Sequence, residues 1–495
     1  MTSTYWRSVN LNGTSLMKSE TIERSSVWVT YLPRRKLVFL LAYLMYLVIF
    51  SLWAVDSWNG CGGPYQDSIF PWVLSSLVIN SIGLLWVDKR KYFDTCVWFL
   101  FLSYAFMFGH VFTTALDLHT TLLWDPDALY SNIAKLRGSI FAIASLCSFT
   151  FGCMVVGAGN LRDFELDADQ DGRLFYIGVI CTVIGFICSA YSSFSVVYAT
   201  QLTGSYASYT DASTNGLIAS IGFLFVVGVI NLLYSNRLST TSKLFLFSGS
   251  VLYFLIVMAL SGSRKTGIFA IVALVLAFLA SSRKARPSIL GMIAAGLFGL
   301  LFLDLLYVIR ETRFDLSGVV PTFIESLQSM EFLSSLLGES LTEMGLTFYS
   351  VVGIVQTVPT VFSYELGMTI VRSACSILPI GWAVGDFFNL GSSTYVINQY
   401  LDVPVGASLI GDFYWNWGFV GGCIACFLFG AALAFFCKKL TASTRLLPLY
   451  FSISYVTLIG VRAGLFELAR PLFIVVITPL LISRFYAHYR LREKK

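Results

Sequence analysis

Charge and histidine are scarce in this chain. Only 12% of its 495 residues are Asp, Glu, Lys or Arg, and three are histidine, against about a quarter charged in an ordinary soluble domain. So little charge excludes a solvated globular surface, a disordered chain and a nucleic-acid-binding domain, since each needs many polar or charged groups. The histidines, His110, His119 and His488, stand apart from one another. They support neither a catalytic metal cluster nor a Ser/His/Asp arrangement, so no metal and no cofactor is expected. A disulfide framework is absent too: the ten cysteines lack regular spacing, and most lie inside apolar runs. Cys423-x-x-Cys426 has no histidine or second cysteine pair beside it and reads as packing.

What fills the chain instead is apolar. Hydrophobic residues make up 56%, with 42 Phe, 25 Tyr and 11 Trp, spread from residue 37 to residue 487. The expected fold class is an all-α polytopic membrane protein. A membrane helix needs about 20 mostly apolar residues, and twelve candidates occur, near 37–55, 70–87, 93–116, 138–158, 174–193, 216–234, 244–262, 267–281, 288–307, 418–437, 446–461 and 471–487. The first 36 residues are polar and basic, so no cleavable signal peptide is expected and the first apolar run starts transfer. With residues 1–36 in the cytoplasm, 24 of the 33 Lys and Arg fall in inside loops. That asymmetry puts both termini inside. It divides the chain into a cytoplasmic segment 1–36, spans one to nine over 37–307, a large extracytoplasmic loop 308–417 with short helices, spans ten to twelve over 418–487, and a cytoplasmic tail 488–495. No inverted-repeat pattern of a transporter is seen.

The nine basic residues left outside are Lys135, Arg137, Arg264, Lys265, Arg310, Arg313, Arg372, Arg462 and Arg470. Most are arginine, whose fixed fork of donors suits phosphate and pyrophosphate. The alternative is that they reach lipid headgroups or pair with Glu311, Asp315 and Glu467. The turn Ser261–Gly267 lacks the spacing of a nucleotide phosphate loop. Just before the tenth span comes Gly406-Ala407-Ser408-Leu409-Ile410-Gly411-Asp412-Phe413-Tyr414-Trp415-Asn416-Trp417-Gly418, which sets a carboxylate, an amide and a phenol among aromatic rings. Sugar rings, with apolar faces and polar rims, suit such a surface; an aromatic belt is the structural alternative. Asp412 is costly at the edge of hydrocarbon unless paired or used, and helix capping competes with catalysis as its purpose.

The stretch Gly406–Gly418, the Gly262-Ser263-Arg264 turn and a large external loop between late spans together resemble bacterial oligosaccharide repeat-unit polymerases of the O-antigen polymerase (Wzy) type. The family pattern often has Glu where this chain has Asp412 and Phe where it has Trp417, and the spacing of Arg and Gly in the large loop is not matched cleanly. The resemblance implies a membrane glycosyltransferase with a GT-C-like fold in the bacterial plasma (inner) membrane, active at its extracytoplasmic face on undecaprenyl-pyrophosphate-linked oligosaccharides. A chain-length regulator and a flippase are the implied protein partners. Under this reading Arg264, Lys265, Arg310, Arg313, Arg372, Arg462 and Arg470 hold pyrophosphate, with Ser408, Tyr414 and Asn416 orienting sugar or holding the loop. Asp412 is the expected base, with Glu339 and Glu343 in reserve. An O-antigen ligase, or a lipid-linked oligosaccharide flippase or other transporter, are the alternatives.

Overall fold

The computed structural model describes residues 34–60, 64–118, 129–159, 168–203, 216–261, 265–281, 330–378, 385–401 and 406–493, with residues 299, 321 and 324. Among them every regular element is helical. In chain order come α1 (Arg34–Asp56), α2 (Tyr65–Ser81), α3 (Thr95–Ala115), α4 (Asn132–Val156), α5 (Ala168–Thr203), α6 (Gly216–Gly222), α7 (Leu224–Tyr234), α8 (Thr240–Ser261) and α9 (Lys265–Ser281). Five short helices follow: α10 (Met330–Gly345), α11 (Phe348–Thr357), α12 (Met368–Cys375), α13 (Gly385–Asn389) and α14 (Ser393–Leu401). The chain then returns to long segments with α15 (Leu409–Thr441), α16 (Leu447–Ile459) and α17 (Leu465–Glu493).

Nine helical segments among the described residues are long and apolar enough to cross a membrane, and α9 and α16 are shorter apolar helices. The apolar runs expected from the sequence fall on these helices, except 288–307, which apart from residue 299 lies outside the described residues. Their outward faces are apolar: on α1, Leu41, Met45, Leu52 and Val55 are all at least 60% exposed. In water such a surface invites aggregation; against lipid tails it is the compatible solvent boundary. The chain is an all-α polytopic membrane protein.

Between helices the packing depends on small residues. A Cβ placed on Gly152 of α4 would lie 2.1 Å from the Phe427 carbonyl oxygen of α15, and one on Gly430 would lie 2.2 Å from that of Phe149. The two backbones therefore approach as closely as only glycine allows. One polar cluster inside the bundle is matched within itself: Tyr43 donates to Asn80 Oδ1 at 2.5 Å, and Asn80 Nδ2 donates to the Tyr104 hydroxyl at 2.9 Å. One basic loop does more than anchor topology. Arg90, its side chain fully buried, pairs with Asp88 at 3.0 Å and Asp94 at 3.1 Å, and donates to the carbonyls of Cys153 and Gly157. Those bonds tie the α2–α3 turn to the far end of α4.

The short helices α10 to α14 gather at the other end of the bundle. Thr342 of α10 donates to Thr113 near the end of α3 at 3.1 Å. Val352 of α11 sits against Gly138 near the start of α4, and Ile354 against Gly411 at the start of α15. Arg470 of α17 reaches Ser376 just after α12. This docked layer is what assembles the candidate site.

Candidate functional site

Ser408 opens α15. Its side chain accepts from the Gly411 N–H at 3.1 Å, a helix N-cap, so the helix begins nine residues ahead of the continuous apolar run expected over 418–437. Asp412 and Asn416 then lie one turn apart on the same face, both fully buried. The Asp412 carboxylate accepts from the Ser393 hydroxyl at 2.5 Å and from the Leu465 N–H at 2.6 Å. It thus satisfies the first turn of α17 in addition to lying in its own helix. Gly464 is required there, because a Cβ would sit 2.5 Å from Asp412 Oδ2. Asn416 donates from Nδ2 to Thr369 Oγ1 at 2.6 Å and to the Asp412 carbonyl at 2.7 Å, while its Oδ1 accepts from the Gly367 N–H at 2.9 Å. Residues 365–369 are clamped onto α15 by these bonds. At Gly418, with φ of 67°, the helix breaks its regular path beside the Tyr364 ring. Tyr414 is 7% exposed and packs edge-on to Phe141 at 4.9 Å.

Around that hub stand the arginines. Arg372 pairs with Glu365, donates to the Leu390 carbonyl at 3.1 Å, and lies 5.5 Å from the Phe387 ring centre. Arg470 donates from Nε to the Ser376 carbonyl at 2.7 Å. Ser376 is bonded back to the Arg372 carbonyl, so both arginines frame one helical turn. Arg462 lies farther along the same end, 6.0 Å from the Phe106 ring on α3. Lys265 is the first residue of α9. Arg264, Arg310 and Arg313 lie outside the described residues.

A second polar group stands one turn beyond Phe106 on α3. His110 is stacked on Phe348 at 4.7 Å and faces Tyr349 at 5.6 Å and Tyr65 at 6.3 Å. Lys135, only 4% exposed, lies 5.1 Å from the Tyr65 ring. Tyr130 stacks on Tyr349 at 5.4 Å; burial pushes its phenol up to about 12, so it keeps its proton at neutral pH. Glu339 of α10 is 6% exposed and Glu343 half-buried. The same helix passes His110 so closely that a Cβ on Gly345 would lie 2.5 Å from the His110 backbone nitrogen. Buried charge in an aromatic wall is expensive unless it has a use.

The structure therefore brings Asp412, Ser408, Asn416 and Tyr414 into one buried hub, and sets Arg372 and Arg470 beside it. The sequence names Lys135 among the external basic residues and His110 among the histidines, but gives neither a role in the site; the available signal is a lysine inside the first turn of an apolar helix. Among the described residues one group of metal-type side chains converges, Asp94, Cys96 and Cys437, and it lies at the opposite end, where Asp94 caps α3 and binds Arg90.

A family model for the O-antigen polysaccharide polymerase Wzy matches residues 35–494. No curated protein matches the chain, and no solved structure does. The match runs through every described helix from α1 to α17, including the hub of α15 and the docked short helices, and the chain belongs to the O-antigen polysaccharide polymerase Wzy family.

Proposed function

We propose that this polymerase works at the extracytoplasmic end of the bundle, on lipid-linked repeat units, with the growing glycan on undecaprenyl pyrophosphate as donor. The hydroxyl of the incoming unit's non-reducing sugar attacks the donor's anomeric carbon. The bond from that carbon to the pyrophosphate oxygen breaks, and its electron pair leaves with undecaprenyl pyrophosphate. A carboxylate takes the hydroxyl proton. Arginines offset the charge developing on the leaving group. The observation that supports this reading is the gathering of arginine, lysine, histidine and carboxylate side chains under one layer of short helices.

Arg372, Arg462 and Arg470 are the described arginines for the pyrophosphate, joined by Arg264, Lys265, Arg310 and Arg313 as proposed ligands. Asp412, fully buried and already accepting two hydrogen bonds, serves best as a positioning residue: it holds α17, and with it Arg462 and Arg470, against α15. Glu339 and Glu343, on the helix that packs against α3 at His110, are then the proposed bases. Ser408 and Asn416 hold the hub, and Tyr414 its aromatic wall.

The test is the glycan made by cells carrying Glu339→Gln, Glu343→Gln or Arg372→Ala. Single-repeat products in place of a ladder are expected for Arg372→Ala and for at least one glutamine variant. An unchanged ladder in all three would sink the assignment. Polymer that stays on the lipid carrier, with none on the cell-surface acceptor, would point to a ligase instead.

A further inference from the structure

Arg137 stands at the same end of the bundle as the hub, and the proposed chemistry gives it no duty. It lies in the second turn of α4 and is half-buried. Its Nε donates to the Trp58 carbonyl at 3.0 Å and one Nη to Asn59 Oδ1 at 3.3 Å, and the guanidinium lies 5.0 Å from the centre of the Trp58 ring. These neutral partners fix the side chain without cancelling its charge. Among the described residues no carboxylate is within ion-pair distance of Arg137. Glu365 is taken by Arg372 and Asp412 by Ser393 and Leu465, while Asp56, Asp67 and Asp117, which share this end, do not reach it.

Below Arg137 a groove of about 300 Å³ runs along the lipid-facing side of the bundle. It is lined by Leu47 of α1, Phe151 of α4 and Phe419, Val420, Ile424 and Phe427 of α15, and no charged residue lines it. Phe419 to Phe427 covers about 12 Å of helix, from the break at Gly418 toward mid-span. Val420 and Ile424 are exposed, so a lipid tail can enter sideways. Trp58 joins the two features: its ring meets the Phe419 ring at 5.5 Å and the Arg137 guanidinium at 5.0 Å. Phe141, one turn from Arg137, meets Phe419 at 5.6 Å and Tyr414 of the hub at 4.9 Å. A cation, an apolar groove and the hub are therefore contiguous.

We propose that this face is the acceptor's lipid site: Arg137 binds the pyrophosphate of the incoming undecaprenyl-linked repeat unit, and the groove takes the first isoprene units of its tail. The proposal rests on the polymerisation reading above. That reaction brings two lipid pyrophosphates to one hub. In the donor the pyrophosphate is at the reacting bond, where Arg372, Arg462 and Arg470 are proposed to act. In the acceptor the reacting hydroxyl is on the non-reducing sugar, and the pyrophosphate is a whole repeat unit away. Two like-charged groups so separated need two cation sites and two exits for their tails. Arg137 is held by α1 and α4, whereas Arg372 and Arg470 belong to α12 and α17, so the two sites are built from different helices. A guanidinium alone would serve any phosphate, and an apolar groove any tail; their junction at Trp58, contiguous with the hub, fits a polyprenyl pyrophosphate that carries sugar.

Native mass spectrometry of the purified full chain tests it, with undecaprenyl pyrophosphate, phosphatidylglycerol and inorganic pyrophosphate as probes. The unaltered chain should retain two undecaprenyl pyrophosphates. Arg137→Gln, which keeps a donor for the Trp58 carbonyl and removes the charge, should weaken one of them by about tenfold or more, the scale of a charge-assisted hydrogen bond. Arg372→Ala should weaken the other. Val420→Trp, which keeps Arg137 and fills the groove, should weaken the same copy as Arg137→Gln, and it stands as the independent variant if that one fails to fold. Two copies retained undiminished in the folded variants, or displacement of the Arg137-dependent copy by phosphatidylglycerol or inorganic pyrophosphate, would overturn the proposal. So would an unaltered chain that binds one copy, lost with Arg372→Ala; that outcome leaves the polymerase reading standing, which the glycan ladder tests separately.

Discussion

Asp412 carries two possible duties, and its surroundings separate them. A general base must reach the proton it takes, whereas this carboxylate has no exposed surface and its oxygens hold the Ser393 hydroxyl and the Leu465 N–H. Asp412→Asn keeps the volume but places an amide donor where only acceptors fit. It should lower stability by about 2 kcal/mol, the scale of a lost hydrogen bond to a buried charged group. Ser393→Ala should act in the same direction by about 1 kcal/mol. Thermal unfolding of both variants in detergent checks this; Asp412→Asn with an unshifted transition and no ladder would instead make Asp412 the base. Sequence reasoning reached Asp412, Ser408 and Asn416 because polar groups at a membrane edge are costly. It did not reach their partners, since Thr369 and Leu465 lie 47 and 53 residues from the side chains they meet.

At the scale of single elements, α15 governs the rest. The apolar run alone starts at 418, yet the helix starts at Leu409, because Ser408 caps it and residues 365–369 satisfy the polar groups of its first turns. Hydropathy sees the run and not those bonds, which is why the start of this span was not legible while the apolar segments themselves were. The sequence reads 308–417 as a loop with short helices but does not give the bounds of α10 to α14, since each is stabilised by docking and not by its own length. Two substitutions test the element. Ser408→Ala should cost about 1 kcal/mol, the usual loss of a helix cap. Gly152→Leu should do far more, because its side chain must displace the Phe427 backbone; the expected result is little folded protein by size-exclusion chromatography, against near-normal yield for a leucine at Gly249, where a Cβ meets nothing within 4 Å.

For the whole molecule, the distribution of charge sets direction. The described helices place the Arg90 knot, Arg173, Arg445 and the basic end of α17 at one end, and the hub of α15 with its short helices at the other. On the topology expected from the sequence, 24 of the 33 basic residues fall in the loops of the first end, and lysine and arginine resist transfer across the membrane during insertion. The hub should therefore face outward, where lipid-linked glycan would be joined. Cysteine labelling in intact cells decides it. Thr360, exposed between α11 and α12, and Ser239, exposed between α7 and α8, sit at opposite ends. With Cys61 changed to serine to lower the background, Thr360→Cys should react with a membrane-impermeant maleimide in intact cells, and Ser239→Cys only after permeabilisation. The described native cysteines are buried or half-buried and should contribute little. The reverse pattern would turn the bundle over, and with it the proposed site of polymerisation.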